Sequence, residues 1–111
     1  MSYCRSQFGY LNDLQAELDG EYPDLRIALL GVNGVGYESG LPQIVAGRDI
    51  PLLQDTADVD AWSRWEVTWR DVVILDRDGA PVSVFNLTEH DLSQMGEYEA
   101  LKGILLDFAM M

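Results

Sequence analysis

The sequence predicts an α/β layer fold with a small mixed sheet, and three observations predict it. Leu25 to Val32 is a nearly continuous apolar run with the length of a buried strand. Asp71 to Asp76 and Pro81 to Phe85 flank Arg77-Asp78-Gly79, an Asp-Gly turn signal that reads as a hairpin. Amphipathic stretches near both ends of the chain read as helices that cover such a sheet.

Taken in order, Arg5 to Asp19 is the first helix. Phe8, Leu11, Leu14, Gln15 and Leu18 fall at helical spacing, Gly20 is a stop signal and Pro23 lies just beyond. The apolar run follows as a buried strand, parallel to a neighbour because it does not alternate. Asn33-Gly34 and Gly36 break it. Ser39 is placed to cap a short helix over roughly Leu41 to Ala46, with Pro42 in its first turn. Ile50 to Leu53 is a short strand. Asp58 reads as the cap of a short helix carrying Val59 and Trp62. In the hairpin the first arm is apolar throughout and the second alternates. The first arm is therefore inner and the second nearer an edge, where Pro81 is tolerated. The last helix runs from about Gly96 to Met110, with Tyr98, Leu101, Ile104, Leu105 and Phe108 on its apolar face.

Length and composition bound the function. The 111 residues fit one domain, and 48% apolar residues supply a modest core. Nineteen acids against seven bases give a net charge of -12. A nucleic-acid partner needs a basic face and anionic lipid repels this charge, so both are disfavoured. No apolar run approaches the ~20 residues of a membrane span, and Met-Ser-Tyr-Cys-Arg-Ser has no apolar signal core. One cysteine, Cys4, excludes an intrachain disulfide and a cysteine-rich zinc site. One histidine, His90, excludes a two-histidine helical metal site and reads as an exposed surface residue.

Several motifs dissolve on inspection. Gly31-Val-Asn-Gly34-Val-Gly36 has the wrong spacing for a dinucleotide loop and reads as a glycine-rich turn. Asp55 to Glu66 has the length of a calcium loop, but its third and fifth positions are Ala57 and Val59, and Asp60 stands where glycine is required. Asn86-Leu87-Thr88 reads as a strand exit with a Thr88 cap. Trp62, Trp65 and Trp69 read as core or rim packing rather than a ligand platform. Cys4 is different. At the head of a helix, beside Arg5, unpaired N–H groups favour a thiolate. An incidental cysteine remains the alternative at this point.

Met1-Ser2-Tyr3-Cys4-Arg5-Ser6-Gln7, opening an amphipathic helix, resembles the second half of a thioredoxin-type active site. In that superfamily the motif is Cys-x-x-Cys or selenocysteine-x-x-Cys, followed by a helix. The strand, the acidic Gln54 to Trp62 stretch, the hairpin and the closing helix follow the thioredoxin-like order. More closely, the chain resembles the N-terminal thioredoxin-like domains of selenoprotein P. The features that carry this are Val32-Asn33, Ile50-Pro51, Gln54-Asp55, Asp58-Val59-Asp60-Ala61-Trp62, Arg70-Asp71 and Asp76-Arg77-x-Gly79, spread over almost the whole chain.

The resemblance implies a single thioredoxin-like domain over 1–111: three layers, a small mixed sheet, a C-terminal β-hairpin and a helix. The N-terminal βα portion and central strand would be lacking, as in a chain truncated at the active-site motif. It implies thiol–disulfide exchange or peroxide reduction on a thiol or disulfide protein or a peroxide, with no cofactor. Cys4 would be the resolving thiol. Met1 stands at the position of the attacking cysteine or selenocysteine, and a thioether cannot be that nucleophile. The loop that faces the active-site sulfur corresponds to Thr68-Trp69-Arg70-Asp71, which makes Trp69, Arg70 and Asp71 substrate-facing. It lacks the usual cis-proline, a lack that selenoprotein P-like domains share. Arg70 would favour an anionic sulfur or acidic substrate group, unless it is a solvated turn residue. The family further implies an extracytoplasmic setting. The alternative is a non-catalytic thioredoxin-like protein-binding module that uses Trp65, Trp69 and the loop before the hairpin. In either case the missing strand would lie between Ile27–Val32 and Val72–Asp76, so an open or poorly paired Ile27–Val32 is expected.

Overall fold

The computed structural model describes residues 2–67, 70–76 and 78–110. It is a mixed α/β fold of four α-helices and two small sheets among these residues. Helix α1 (Ser2–Glu21) carries the expected apolar face and runs one residue past Gly20. Strand β1 (Gly31–Asn33) is followed by a 3-10 turn (Glu38–Gly40) and α2 (Leu41–Val45). Strand β2 (Leu52–Gln54), α3 (Ala61–Arg64), β3 (Asp71–Leu75), β4 (Pro81–Asn86) and α4 (Met95–Ala109) complete the order.

The hairpin's strands and turn are as expected, with Val72 opposite Phe85, Val73 opposite Val84 and a bulge between Ile74 and Leu75. Among the described residues, however, β3 pairs only with β4 and is therefore not the inner strand its apolar run implied. Its turn needs Gly79, whose φ of +83° is left-handed. The parallel pairing is present too: Gly31, Val32 and Asn33 face Leu52, Leu53 and Gln54. The two pairs form separate sheets instead of one mixed sheet. Ladder pairing propagates only where neighbouring backbones lie within hydrogen-bonding reach, and a groove separates β1 from β3.

Four local expectations are corrected. The run Leu25 to Val32 is not a strand buried on both faces. Leu25, Ile27 and Leu29 are half-buried, Arg26, Ala28 and Leu30 are exposed, and only β1 joins a ladder. Along the rest of the segment the side chain of Gln15 replaces β2. Its amide donates to the Ile27 carbonyl at 2.7 Å and its oxygen accepts from the Leu29 N–H at 2.6 Å. Second, Ser39 lies inside the 3-10 turn and makes no cap, α2 following on from Gly40. Third, Asp58 does not cap the short helix. Asp60, in a left-handed conformation (φ +47°), precedes α3, and the cap is the buried Asp55 carboxylate. It accepts from the N–H groups of Thr56 (2.9 Å), Ala61 (2.9 Å) and Trp62 (3.1 Å). Those bonds, from Ala61 above all, hold Asp55 below the usual carboxylate range although burial opposes them. Fourth, Thr88 caps nothing. The Asn86 carboxamide oxygen closes a turn on the Thr88 and Glu89 N–H groups, and α4 begins later, after Gln94.

Helix α1 ties the two sheets together. Leu14 and Leu18 join Ile74, Phe85, Leu87, Leu92, Leu101 and Leu105 in the larger core cluster. Phe8, nearer the start of the same helix, packs with Ile44 and Ile50 in the smaller one. Polar side chains on α1 fix the loops: Asn12 accepts from the Asp49 and Ile50 N–H groups, and buried Gln7 bonds Asp91 and the Leu92 N–H, each at 2.9 Å.

Candidate functional site

The groove between β1 and β3 has a volume of about 720 Å³. One wall is the extended segment Leu25 to Gly34, and the other is Arg70 to Asp76. Phe8 and Leu11 of α1, with Leu105 and Phe108 of α4, line it from the helical layer. Trp62 and Trp65 also line it. Trp62 is half-buried and its Nε1 donates to the Val32 carbonyl at 3.2 Å, while Trp65 is 49% exposed.

The structure brings three of the sequence-predicted residues to this groove. Cys4 lies in the first turn of α1, is half-buried and lines the cavity. Arg70 and Asp71 line it from the start of β3. Met1 and Trp69 lie outside the described residues. Arg70 has a left-handed backbone (φ +68°), and its carbonyl accepts from the Leu87 N–H at 2.9 Å. Its guanidinium carbon sits 4.3 Å from the Tyr3 ring centroid, a cation–π contact, and Nη1 reaches Thr88 Oγ1 at 3.4 Å. Arg70 is thus a held residue, not a solvated turn residue. The Asp71 carboxylate accepts from the Asn86 side-chain amide at 2.8 Å across the hairpin.

Tyr3 was not singled out from the sequence. Its ring supports Arg70 and its hydroxyl donates to the Leu87 carbonyl, which places the residue beside Cys4 against the hairpin. Burial, aided by the Asp91 charge, raises the Tyr3 phenol above its ordinary range. The available signal was its position next to Cys4 at the head of the helix. His90 is half-buried, stacked on Phe85 with centroids 4.7 Å apart and bonded to Glu97, away from the groove residues.

The groove is apolar, with one sulfur (Cys4), two guanidinium groups (Arg26, Arg70) and two carboxylates (Asp71, Asp76) at its lining. Among the described residues no group of three or more His, Cys, Asp or Glu side chains is placed to hold a metal ion. No described helix is long and apolar enough to cross a membrane. No protein-family model, curated protein or solved structure matches this chain.

Proposed function

We propose that the chain is a thioredoxin-like redox domain in which Cys4 is the resolving thiol. The observation that supports it most is that Cys4, in the first turn of a 20-residue helix, shares one groove with Arg70 and Asp71. In this reading an attacking thiolate or selenolate bonds to one sulfur of a substrate disulfide and releases the other as thiolate. Cys4 Sγ, as thiolate, then bonds to the attacking atom and expels the second substrate thiolate. With a peroxide, the attacking atom takes one oxygen and water or alcohol leaves. Cys4 then bonds to that atom and the oxygen departs as water. A thiol reductant reopens the resulting bond. Arg70, fixed on Tyr3, favours the anionic sulfur.

Cys4 is the only cysteine in the chain, and Met1 stands three residues before it. The 111-residue chain is therefore expected to reduce insulin or peroxide no faster than the dithiothreitol background. Met1→Cys, made behind an added initiator methionine, is expected to form a reducible bond to Cys4 and to gain dithiothreitol-dependent turnover. Cys4→Ser in that background is expected to stop the cycle at a mixed disulfide. A Met1→Cys protein that is folded, forms no such bond and shows no turnover overturns the redox reading. The second reading, a protein-binding module, is favoured by the groove itself: its walls are mainly apolar and Trp62 and Trp65 are among its lining residues.

A further inference from the structure

We propose that the slot between β1 and β3 is a β-augmentation site for a separate polypeptide, taking an extended apolar strand of about five residues flanked by basic residues. This rests on and deepens the protein-binding reading. The hydrogen-bond pattern sets it up. Gly31 donates to the Pro51 carbonyl and the Asn33 carbonyl accepts from Asp55, so odd-numbered residues of this segment bond toward β2. The N–H groups of Leu30 and Val32, and the Leu30 carbonyl, consequently point away from β2, into the slot. On the other wall the Arg70 carbonyl accepts from Leu87 N–H, so Val72 and Ile74 bond to β4 while both main-chain groups of Val73 point away from it.

Two backbone edges thus face one another across an apolar cavity of about 720 Å³. An aliphatic ligand would fill the volume and leave those N–H and C=O groups without a partner. A peptide strand satisfies both edges. Five residues of β3 line the slot, which sets the length.

Charge selects the partner. The cavity's charged lining residues are Arg26, Arg70, Asp71 and Asp76, two of each sign. The slot is therefore neutral while the whole chain carries -12. A second copy of this chain brings the same acidic surface and is repelled. An uncharged strand with lysine or arginine at its ends matches both the neutral slot and the net charge of -12 on the chain that carries it. Leu30 at 57% exposure and Trp65 at 49% give such a partner apolar surface beside the slot.

The probe is a capped synthetic peptide of five alternating valine and isoleucine residues between two pairs of lysines, added to the wild-type chain under reducing conditions. Three measurements read it: fluorescence anisotropy, residue-resolved amide exchange and sedimentation. Saturable binding is expected, with the Leu30, Val32 and Val73 amides newly protected. N-methylation of alternate backbone amides in the peptide is expected to weaken binding at least about tenfold. Glutamate in place of lysine at the ends is expected to weaken it further at low salt. No saturable binding up to about 1 mM overturns the proposal and the binding-module reading at this groove together. Equal binding of the N-methylated peptide overturns strand pairing alone, leaving an apolar binding cavity. Sedimentation as a dimer that protects the same amides and resists the peptide shows that a second copy fills the slot, which also overturns the proposal.

Discussion

Asp55 shows how much of this fold hangs on single side chains. Its carboxylate is the cap of a helix too short to hold itself, and it joins the end of β2 to the start of α3. Asp55 is ionised more readily in the folded chain than in the unfolded one. A lowered folded value means that the unfolded state binds the proton more readily. The stabilisation is thus fully present above the ordinary aspartate value of about 4 and fades as pH falls through the folded value. Glu17, held down chiefly by Lys102 and also by Tyr98, acts in the same direction. So does Asp91, held down by Ser93. Asp55→Asn is expected to lower the melting temperature at pH 7 and to reduce the loss of stability between pH 7 and pH 3. Thermal melts of both proteins at the two pH values check this, and parallel pH profiles would remove Asp55 from the acid response. The sequence showed Asp55 as an acid before a short helix, but Asp58 sits closer to that helix in the chain. Only the path of residues 55–61 decides which carboxylate reaches the amides.

At the scale of elements, α1 and α4 meet in the larger core cluster, with Ile74 and Phe85 of the hairpin. Their contact is apolar at Leu14, Leu18, Leu101 and Leu105, and polar at its edge. There Lys102 bonds Glu17 and, at 3.1 Å, Glu21, while Tyr98 donates to Glu17 at 2.8 Å. Leu101 is 0% exposed. Leu101→Ala leaves a cavity and is expected to cost about 2–5 kcal/mol, a large share of a domain's margin. Val84, 57% exposed on β4, is the control: Val84→Ala is expected to stay within about 0.5 kcal/mol. Urea titration of both variants separates the two effects. Both helices and the hairpin were legible because each carries a period, 3.6 or 2, together with a stop or turn residue. The segment Leu25 to Leu30 is not the strand its composition implies, because an apolar run specifies burial without specifying what buries it. In the folded chain the Gln15 amide, and not a neighbouring strand, bonds the Ile27 carbonyl and the Leu29 N–H.

For the molecule as a whole, the radius of gyration is 13.8 Å, close to the ~13 Å expected of a compact chain this size. The slot is a local gap in a compact body. Nineteen acids and seven bases share an envelope of 36 × 29 × 25 Å. At 0.01 M salt the Debye length is about 30 Å, so the acids repel one another across the whole molecule. Raising sodium chloride from 0.01 to 0.3 M is expected to stabilise the fold by about 1 kcal/mol, or roughly 4–8 °C in melting temperature. Melts along a salt series check it. A falling melting temperature would show that the local ion pairs around Lys102 outweigh the general repulsion.

The sequence by itself determined the α/β class, the helices at the two ends, the hairpin and its Asp-Gly turn. Those features depend on residues near one another in the chain, where period and turn chemistry act. The family resemblance added the expectation of an Ile27–Val32 segment open toward the hairpin, and Cys4, Arg70 and Asp71 as candidate residues for the proposal. The tertiary structure decided the rest. It split the strands into two ladders, placed Cys4 and Arg70 on one groove, laid Arg70 on Tyr3, and gave the cap of α3 to Asp55. Each of those is a contact between residues distant in the chain or a choice between neighbours of like chemistry. Such contacts follow from which groups come within hydrogen-bonding reach in the packed chain, and no local pattern records that distance.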